Sequence, residues 1–310
     1  MKVLRLLPLA LLLARPAVSS EDPTVLRESF LARLNQERAA AGLPALRLVD
    51  TLSQVAQRNA ETIRDRQGEP PGVDAMVQIR RDLARAGYEA HGWSHSFAAG
   101  PGDAGAIVSW WKSWNEASFQ PVVDPDYEDL GIGITELDGA PLYTFLLAWR
   151  ESEYFARQTA PLMDPEQVRA AMLAEINAQR EAAGAPPLAL DPHLNDVAQK
   201  HAEDMLSRSY YDHQSPEGLL PRDRVLQAGY PAALVAENIA RGPTSVEEAM
   251  SAWMQSRGHR ANLLNRGLTE IGVGCAVGRN ATGYTVLWVQ DFGRPRSEGN
   301  GAKVRHKAAG

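Results

Sequence analysis

The sequence predicts an α+β protein in which helices cover an antiparallel β-sheet, and it predicts this arrangement twice. Three observations support the prediction. Apolar residues at helical spacing fill the first part of each half of the chain, and two strand-like runs joined by a turn close each half. The halves also align with each other. With 310 residues and 44% hydrophobic content, the chain is long enough for two cores of ordinary size.

The internal repeat has a domain-sized period. A shift of 142 residues places Leu34–Leu48 on Ile176–Leu190 without a gap, and it places Trp111 on Trp253. Beyond Trp111 the register slips by one residue. Because this period is much longer than that of a solenoid repeat, the sequence indicates a tandem duplication of one domain.

The N-terminal residues are typical of a secretory signal peptide. Lys2 and Arg5 precede the short apolar run Leu6–Leu13, and small residues follow it. No later apolar run is long enough for a transmembrane segment in the mature chain, so we expect a secreted or periplasmic protein. The predicted segments are a signal peptide at 1–20, a first domain at 22–152, a linker near Glu151–Pro165, a second domain at 163–294 and a disordered basic tail at 295–310.

Helix signals are clearest in the second half. Asp191 is a predicted N-cap before a proline, Gly184 ends the preceding helix, and Ser245 with Glu248 forms a capping box. The predicted strands are Glu270–Val277 and Tyr284–Gln290. In the first half, helices are predicted near Thr24–Ala41, Thr51–Arg66, Val73–Ala86 and Asp103–Asn115, with strands near Gly131–Glu136 and Leu142–Trp149.

Charge and cysteine content narrow the function classes. A formal net charge of -6 argues against a nucleic-acid-binding protein. Cys275 is the single cysteine, so no internal disulfide can form and both domains must rely on hydrophobic cores. It lies in a strand-like run, which predicts a buried, inert thiol.

Six motifs follow one another along the second half. They are HAEDM (His201–Met205), DHQSPEG (Asp212–Gly218), AENIARG (Ala236–Gly242), WMQSRGHRANLL (Trp253–Leu264), IGVG (Ile271–Gly274) and WVQDFG (Trp288–Gly293). In this order they resemble the CAP superfamily of cysteine-rich secretory proteins, insect venom antigens and plant pathogenesis-related protein 1. The resemblance implies a three-layer α-β-α sandwich with a central antiparallel sheet. The lack of disulfides and the GHRANLL sequence are similar to bacterial members.

The resemblance also implies a cleft with two histidines and two acidic residues. The histidines fall on His213 and His259, and one acid falls on Glu237. The second acid falls on Ser256, so this chain keeps three of the four positions. We place all three on loops or at the ends of elements, with His259 after Gly258 where a helix stops.

Three chemical hypotheses remain open for this cleft. His213, His259 and Glu237 are a candidate zinc set with one position left for water. Alternatively, Glu237 bridges the histidines in a hydrogen-bonded network that holds the loop after Asp212. Ser256 lies three residues before His259 and could act as a nucleophile, but there is no GxSxG motif and a serine there more often caps a helix.

Four further polar residues of the second half have structural and functional interpretations. His201 lies on the apolar stripe of its helix and is interpreted as a core histidine with one satisfied nitrogen, or as a partner of the cleft. Arg222 and Arg224 anchor a loop to a helix or meet an anionic ligand. Asp291 is interpreted as structural.

The first half lacks the cleft residues. At the 142-residue shift, Pro71, His95, Trp114 and Ala117 replace His213, Glu237, Ser256 and His259, and a one-residue error in the last two restores no histidine. This indicates a degenerate domain that keeps its core. Its alternative role is a partner-binding surface: Trp110, Trp111 and Trp114 should be mostly core, but an exposed Trp114 would favour binding.

The leading hypothesis for function is a non-enzymatic binding or envelope-associated module that uses the cleft of the second domain. Its ligand would be lipid-like, derived from the cell wall, or a protein. The first alternative is a hydrolase of peptidase or esterase type, with metal-bound or His259-activated water and Glu237 as base. The second is a structural interaction protein whose cleft is vestigial.

Overall fold

The computed structural model describes residues 22–68, 73–100 and 103–296. Contacts divide the chain into two compact units, Met1–Tyr154 and Phe155–Gly310. The predicted signal peptide at 1–20, nearly all of the predicted tail and Pro71 lie outside the described residues. Within the described ranges, every helix is too short or too polar to cross a membrane.

The first domain begins with helices and ends with a strand pair, as predicted. Asp22 and Asp103 cap their helices by accepting backbone N–H bonds. A one-turn 3₁₀ helix, Gln120–Val123, precedes the strand pair. The elements are α1 (Pro23–Ala40), β1 (Arg47–Leu48), α2 (Asp50–Asp65), α3 (Val73–Arg85), β2 (Ala90–Ala99), α4 (Ala104–Trp114), α5 (Glu116–Phe119), β3 (Asp129–Leu137) and β4 (Ala140–Arg150).

The second domain repeats this order. The predicted N-caps Asp191 and Ser245 are confirmed, and Gly184 has the left-handed φ of +67° that ends the preceding helix. The predicted linker is helical, because α6 (Glu151–Thr159) and a 3₁₀ turn occupy it. The remaining elements are α7 (Pro165–Ala182), β5 (Ala189–Leu190), α8 (Pro192–Ser207), α9 (Pro221–Gln227), β6 (Ala232–Arg241), α10 (Val246–Gln255), α11 (Arg257–Leu263), β7 (Glu270–Asn280) and β8 (Gly283–Pro295).

The two sheets have the same topology. Their strand orders are β1-β3-β4-β2 and β5-β7-β8-β6, and the three long strands of each are antiparallel. The predicted α+β class is therefore correct. Sequence patterns missed two features: the long strands β2 and β6, and the two-residue edge strands β1 and β5, which pair in parallel.

Helices cover both faces of the second sheet, which gives the three-layer sandwich. On one face, Met172 of α7 and Trp253 of α10 pack with sheet residues such as Trp288. On the other face, Ala202 and Met205 of α8 pack against residues of β6, β7 and β8. The hydrophobic cores thus lie between the sheet and each helical layer.

Paired glycines bring one helix unusually close to each sheet. A Cβ on Gly272 would overlap the backbone carbonyl of Leu194 in α8, and Gly274 faces Ala198 in the same way. Gly131 has the same relation to Leu52 of α2. Because only glycine fits at this contact, the IGVG and LGIG motifs fix the helix-to-sheet distance in both domains.

A buried arginine holds the segment that follows α11. The fully buried Arg180 of α7 donates Nη1 hydrogen bonds to the carbonyl oxygens of Leu263 (2.7 Å) and Asn265 (3.0 Å). In the first domain, Arg38 donates in the same way to Val122, at 2.9 Å. This anchor positions α11, and therefore His259, against the core.

Candidate functional site

The predicted cleft residues occupy a strand, a loop and a helix of the second domain. Glu237 lies within β6, so its predicted place at the end of an element is wrong. His213 is on the loop between α8 and α9, as expected. His259 lies inside α11; Gly258 is helical, and the chain turns instead at Ser256, between α10 and α11. Sequence reasoning missed this because α11 has only seven residues.

Glu237 is the centre of a hydrogen-bonded network. Its side chain is 1% exposed. Oε1 is 2.6 Å from Nδ1 of His213, and Oε2 accepts from Nη2 of Arg224. His201 Nε2 lies 4.0 Å from Oε2. The carboxylate therefore has a charged or polar partner at each oxygen, which is what a buried ion needs.

Arg224 ties the loop to the network. Its Nη1 donates to the carbonyl oxygens of His213 (2.8 Å) and Leu219 (3.1 Å), while Nη2 pairs with Glu237. The guanidinium thus fixes both the backbone of His213 and the carboxylate that His213 contacts. The interpretation of Arg224 as a loop anchor is confirmed, and its partner is the cleft itself.

His201 is buried behind the carboxylate. Nε2 bonds the carbonyl oxygen of Asp212 at 3.1 Å, and the hydroxyl of Tyr210 lies 3.4 Å from Nδ1. Burial lowers the pKa of His201, which favours the neutral imidazole. His201 is a core histidine, and it also orients the loop that holds His213. Both interpretations from the sequence, a core residue and a partner of the cleft, therefore apply.

An amide ladder connects Glu237 to His259. Asn238 Nδ2 donates to the carbonyl oxygen of His259 (3.2 Å) and to Oε1 of Gln290 (3.1 Å). Asn262 Nδ2 donates to Oδ1 of Asn238 (2.9 Å) and to the carbonyl oxygen of Glu237 (3.1 Å). Asn238 and Gln290 are fully buried. These amides hold α11 against β6, and no sequence pattern singled them out.

The pKa values of the two cleft histidines shift in opposite directions. The hydrogen bond to Glu237 raises the pKa of His213, whose side chain is 48% exposed. Burial and then the positive charge of His213 lower the pKa of half-buried His259. The contact with Glu237 thus favours the charged form of His213, whereas burial favours the neutral form of His259.

The described residues contain no set of three His, Cys, Asp or Glu side chains arranged to hold a metal ion. At the predicted zinc set, both carboxylate oxygens of Glu237 already have hydrogen-bond partners, one in His213 and one in Arg224. The candidate zinc set His213, His259 and Glu237 would require these contacts to break. Zinc binding therefore stays a prediction that this arrangement does not favour.

Ser256 joins two helices. It is the C-cap of α10 and the N-cap of α11, and its side chain makes no capping hydrogen bond. No hydrogen bond links its hydroxyl to His259 in the described part of the chain. Cys275 is partly buried, and burial raises the pKa of its thiol to about 12, which agrees with the prediction of an inert thiol.

In the first domain, different residues stand at the described cleft positions. His95 has the sheet position of Glu237, and burial lowers its pKa to about 4. Its Nε2 contacts Asn59, the counterpart of His201. Ser96 Oγ donates to the carbonyl oxygen of Ser118 (3.0 Å), as Asn238 does to that of His259. His259 therefore corresponds to Ser118 and not Ala117, which is the one-residue slip.

The tryptophans of α4 have two environments. Trp111 is buried, and its ring stacks on Phe145. Trp110 and Trp114 are 43% and 60% exposed, with ring centroids 5.0 Å apart at an interplanar angle of 12°. The expectation that these tryptophans are mostly core is wrong for two of the three. Trp114 is exposed, and this is the observation that would favour a partner-binding surface over a purely structural role.

A comparison with known protein families identifies the class of protein to which both halves belong. Two segments, 31–147 and 173–292, match the Cysteine-rich secretory protein family, and together they exceed half of the chain. The chain therefore belongs to this family, with one family domain in each half.

Two curated relatives are similar to part of the chain. The chain is 39% identical over 116 residues to the uncharacterized protein YkwD of Bacillus subtilis, covering 37% of this chain and 43% of that protein. It is 34% identical over 91 residues to the uncharacterized membrane protein YlbC of the same organism, covering 29% of this chain and 26% of that protein. The chain thus spans less than half the length of these curated relatives.

Among solved structures, an extracellular protein containing an SCP domain from Bacillus anthracis is similar in fold. The identity is 25% and the TM-score is 0.36, with 53% of this chain and 59% of that chain covered.

Proposed function

We propose that this chain is a secreted, non-enzymatic binding module whose second domain captures a ligand through His213 and His259. One observation carries the proposal: Glu237 is buried and both of its oxygens are occupied, by His213 and Arg224. A general base must reach the proton that it removes. Glu237 is locked in a network, so the exposed imidazole of His213 is what the cleft offers to a ligand.

The electrostatics indicate the ligand's chemistry. When His213 is protonated, its charge and that of Arg224 exceed the single charge of Glu237, and His259 stays neutral. A cationic N–H beside a neutral imidazole suits an anionic oxygen group. Carboxylates of wall peptides and phosphates of lipids share this chemistry, which agrees with a wall-derived or lipid-like ligand.

Co-sedimentation of the full chain tests this proposal. The two probes are purified peptidoglycan sacculi and vesicles of phosphatidylglycerol. We expect retention on one probe at pH 6, weaker retention at pH 8, and a loss of at least about tenfold in affinity in His259→Ala. His193→Ala is the matched control, because His193 is an exposed histidine on α8 that lies outside the network.

The outcomes separate the hypotheses. Retention that is equal in wild type and His259→Ala contradicts the site assignment. Retention on neither probe contradicts the proposed ligand chemistry. Hydrolysis of ester or peptide substrates by wild type, with loss of the activity in His259→Ala, would replace the binding module by the hydrolase.

A further inference from the structure

Asp291 lies beneath the cleft and has no role in the network described so far. On β8 it stands directly opposite Glu237 of β6 and Gly272 of β7. Cross-strand neighbours share a face of the sheet, and Gly272 faces Leu194 of α8. Asp291 is therefore enclosed between the central strand and α8, and its residue is 0% exposed.

Neither carboxyl oxygen of Asp291 has a hydrogen-bond donor among the described residues. The polar group that shares its face of the sheet is the carboxyl group of Glu237, its cross-strand partner. Two buried carboxyl groups paired in this way can share a hydrogen bond only when one of them carries a proton, because an ionised carboxylate has no donor. Glu237 has Arg224 as a cationic partner, so the proton belongs on Asp291.

The groups around the pair agree with this assignment. α9 supplies Arg224, α8 supplies His201, and the loop supplies His213, all on the side of Glu237. Burial, followed by the negative charge of Glu237, raises the pKa of Asp291 well above its ordinary value. With Arg224 paired to Glu237, a second negative charge here would be uncompensated.

We propose that Asp291 is a positioning residue, kept as a neutral carboxylic acid whose O–H donates to Glu237. This bond gives the carboxylate a third donor besides His213 and Arg224. It fixes the plane of the carboxylate, and through it the orientation of the His213 ring. The inference deepens the proposed function, since His213 is the group that would meet the ligand.

The first domain shows that the fold itself does not need this acid. At the same place in its sheet, Leu146 stands opposite His95, and the neighbouring Gly131 keeps its close contact with α2. A leucine therefore fits between helix and sheet. The acid is absent where the glutamate is absent, which is what a role directed at Glu237 requires.

The test compares Asp291→Asn with Asp291→Leu in the full chain. Asparagine keeps a neutral donor, whereas leucine reproduces the first domain. Infrared difference spectra at pH 7 between wild type and Asp291→Asn should show the carbonyl band of one protonated carboxylic acid in wild type. The Nδ1–H resonance of His213 should be retained in Asp291→Asn. It should exchange with solvent roughly tenfold faster in Asp291→Leu, because one supporting hydrogen bond is lost.

Two results would overturn the proposal: no protonated-acid band in wild type at pH 7, or a His213 resonance in Asp291→Leu that exchanges at the wild-type rate. If the leucine variant fails to fold, the infrared comparison still decides, since it needs only the asparagine variant. Neither readout involves a ligand. A failure of the binding experiment is therefore distinguishable from a failure of this one.

Discussion

The two domains share a structural frame, which consists of the sheet, its glycine contacts with one helix and a buried arginine. They differ in the cross-strand pair at one equivalent place in each sheet. In the second domain the pair is Glu237 and Asp291; in the first it is His95 and Leu146. The glycines that admit the helix and the buried arginine of the first helix are present in both. The frame is therefore independent of the polar network, which only the second domain contains at this place.

The largest effect should come from breaking the shared frame. Gly272→Val places a branched side chain into the backbone of α8, and Gly131→Val does the same to α2. We expect each variant to destabilise its own domain by about 5 kcal/mol or more. Hydrogen–deuterium exchange resolves the domains separately. If a variant and the wild type had equal protection from exchange, the contact between the helix and the sheet would be able to relax around the larger side chain.

The next effect should be confined to the second domain. Glu237→Gln leaves Arg224 buried without its carboxylate, which costs about 3–5 kcal/mol in comparable buried pairs. The pKa of His213 should fall at the same time, since its main cause of elevation is removed. Chemical denaturation and NMR titration of the full chain measure the two effects. A His213 pKa that stays raised would contradict the network.

The matched change in the first domain is His95→Gln, and its effect depends on pH. Burial lowers the pKa of His95 from 6.5 to about 4, so below pH 6.5 the unfolded chain binds a proton that the folded domain excludes. Stability is therefore lost as pH falls from about 6.5 to 4, by up to about 3 kcal/mol. His95→Gln should flatten this loss in exchange-detected stability of the first domain. If the variant and the wild type had the same pH profile, folded His95 would bind a proton as readily as unfolded His95 does.

The smallest effect on stability should come from Trp114→Ala. Trp114 is 60% exposed and stacks on Trp110, so its removal should change the free energy of unfolding by about 0.5 kcal/mol or less. Trp111→Ala, in the buried neighbour, is the contrasting control, with an expected loss of about 3–5 kcal/mol. A large effect of Trp114→Ala would mean that its ring is covered in solution.

Much of the frame could be predicted from sequence, because local signals specify it. Asp191 and Ser245 mark helix starts by side-chain chemistry that involves only adjacent residues, and the repeat doubles each signal. Strand β6 was missed, since ALVAENIAR mixes polar and apolar residues without clean alternation on both of its faces. Its polar residues serve the network, so the site itself obscured the pattern.

The site could be predicted only in part. The family resemblance indicated His213, Glu237 and His259, and the structure brings the first two into hydrogen-bond contact. Arg224 and Asp291 contribute through their proximity to Glu237, from which they are separated by 13 and 54 positions in the sequence. Such contacts follow from register and helix placement, which one sequence does not specify.

The distinct cross-strand pairs also matter while the chain is being made. Two similar sheets in one polypeptide invite strands of one copy to pair with strands of the other. If β6 paired with β4 in the equivalent register, Glu237 would face Leu146 and its carboxylate would be left without Asp291. Such a hybrid sheet is penalised at its centre. The residues of the polar network would thus also favour pairing of each strand within its own domain. The double variant His95→Glu with Leu146→Asp should therefore refold with more cross-paired species in size-exclusion and proteolysis assays.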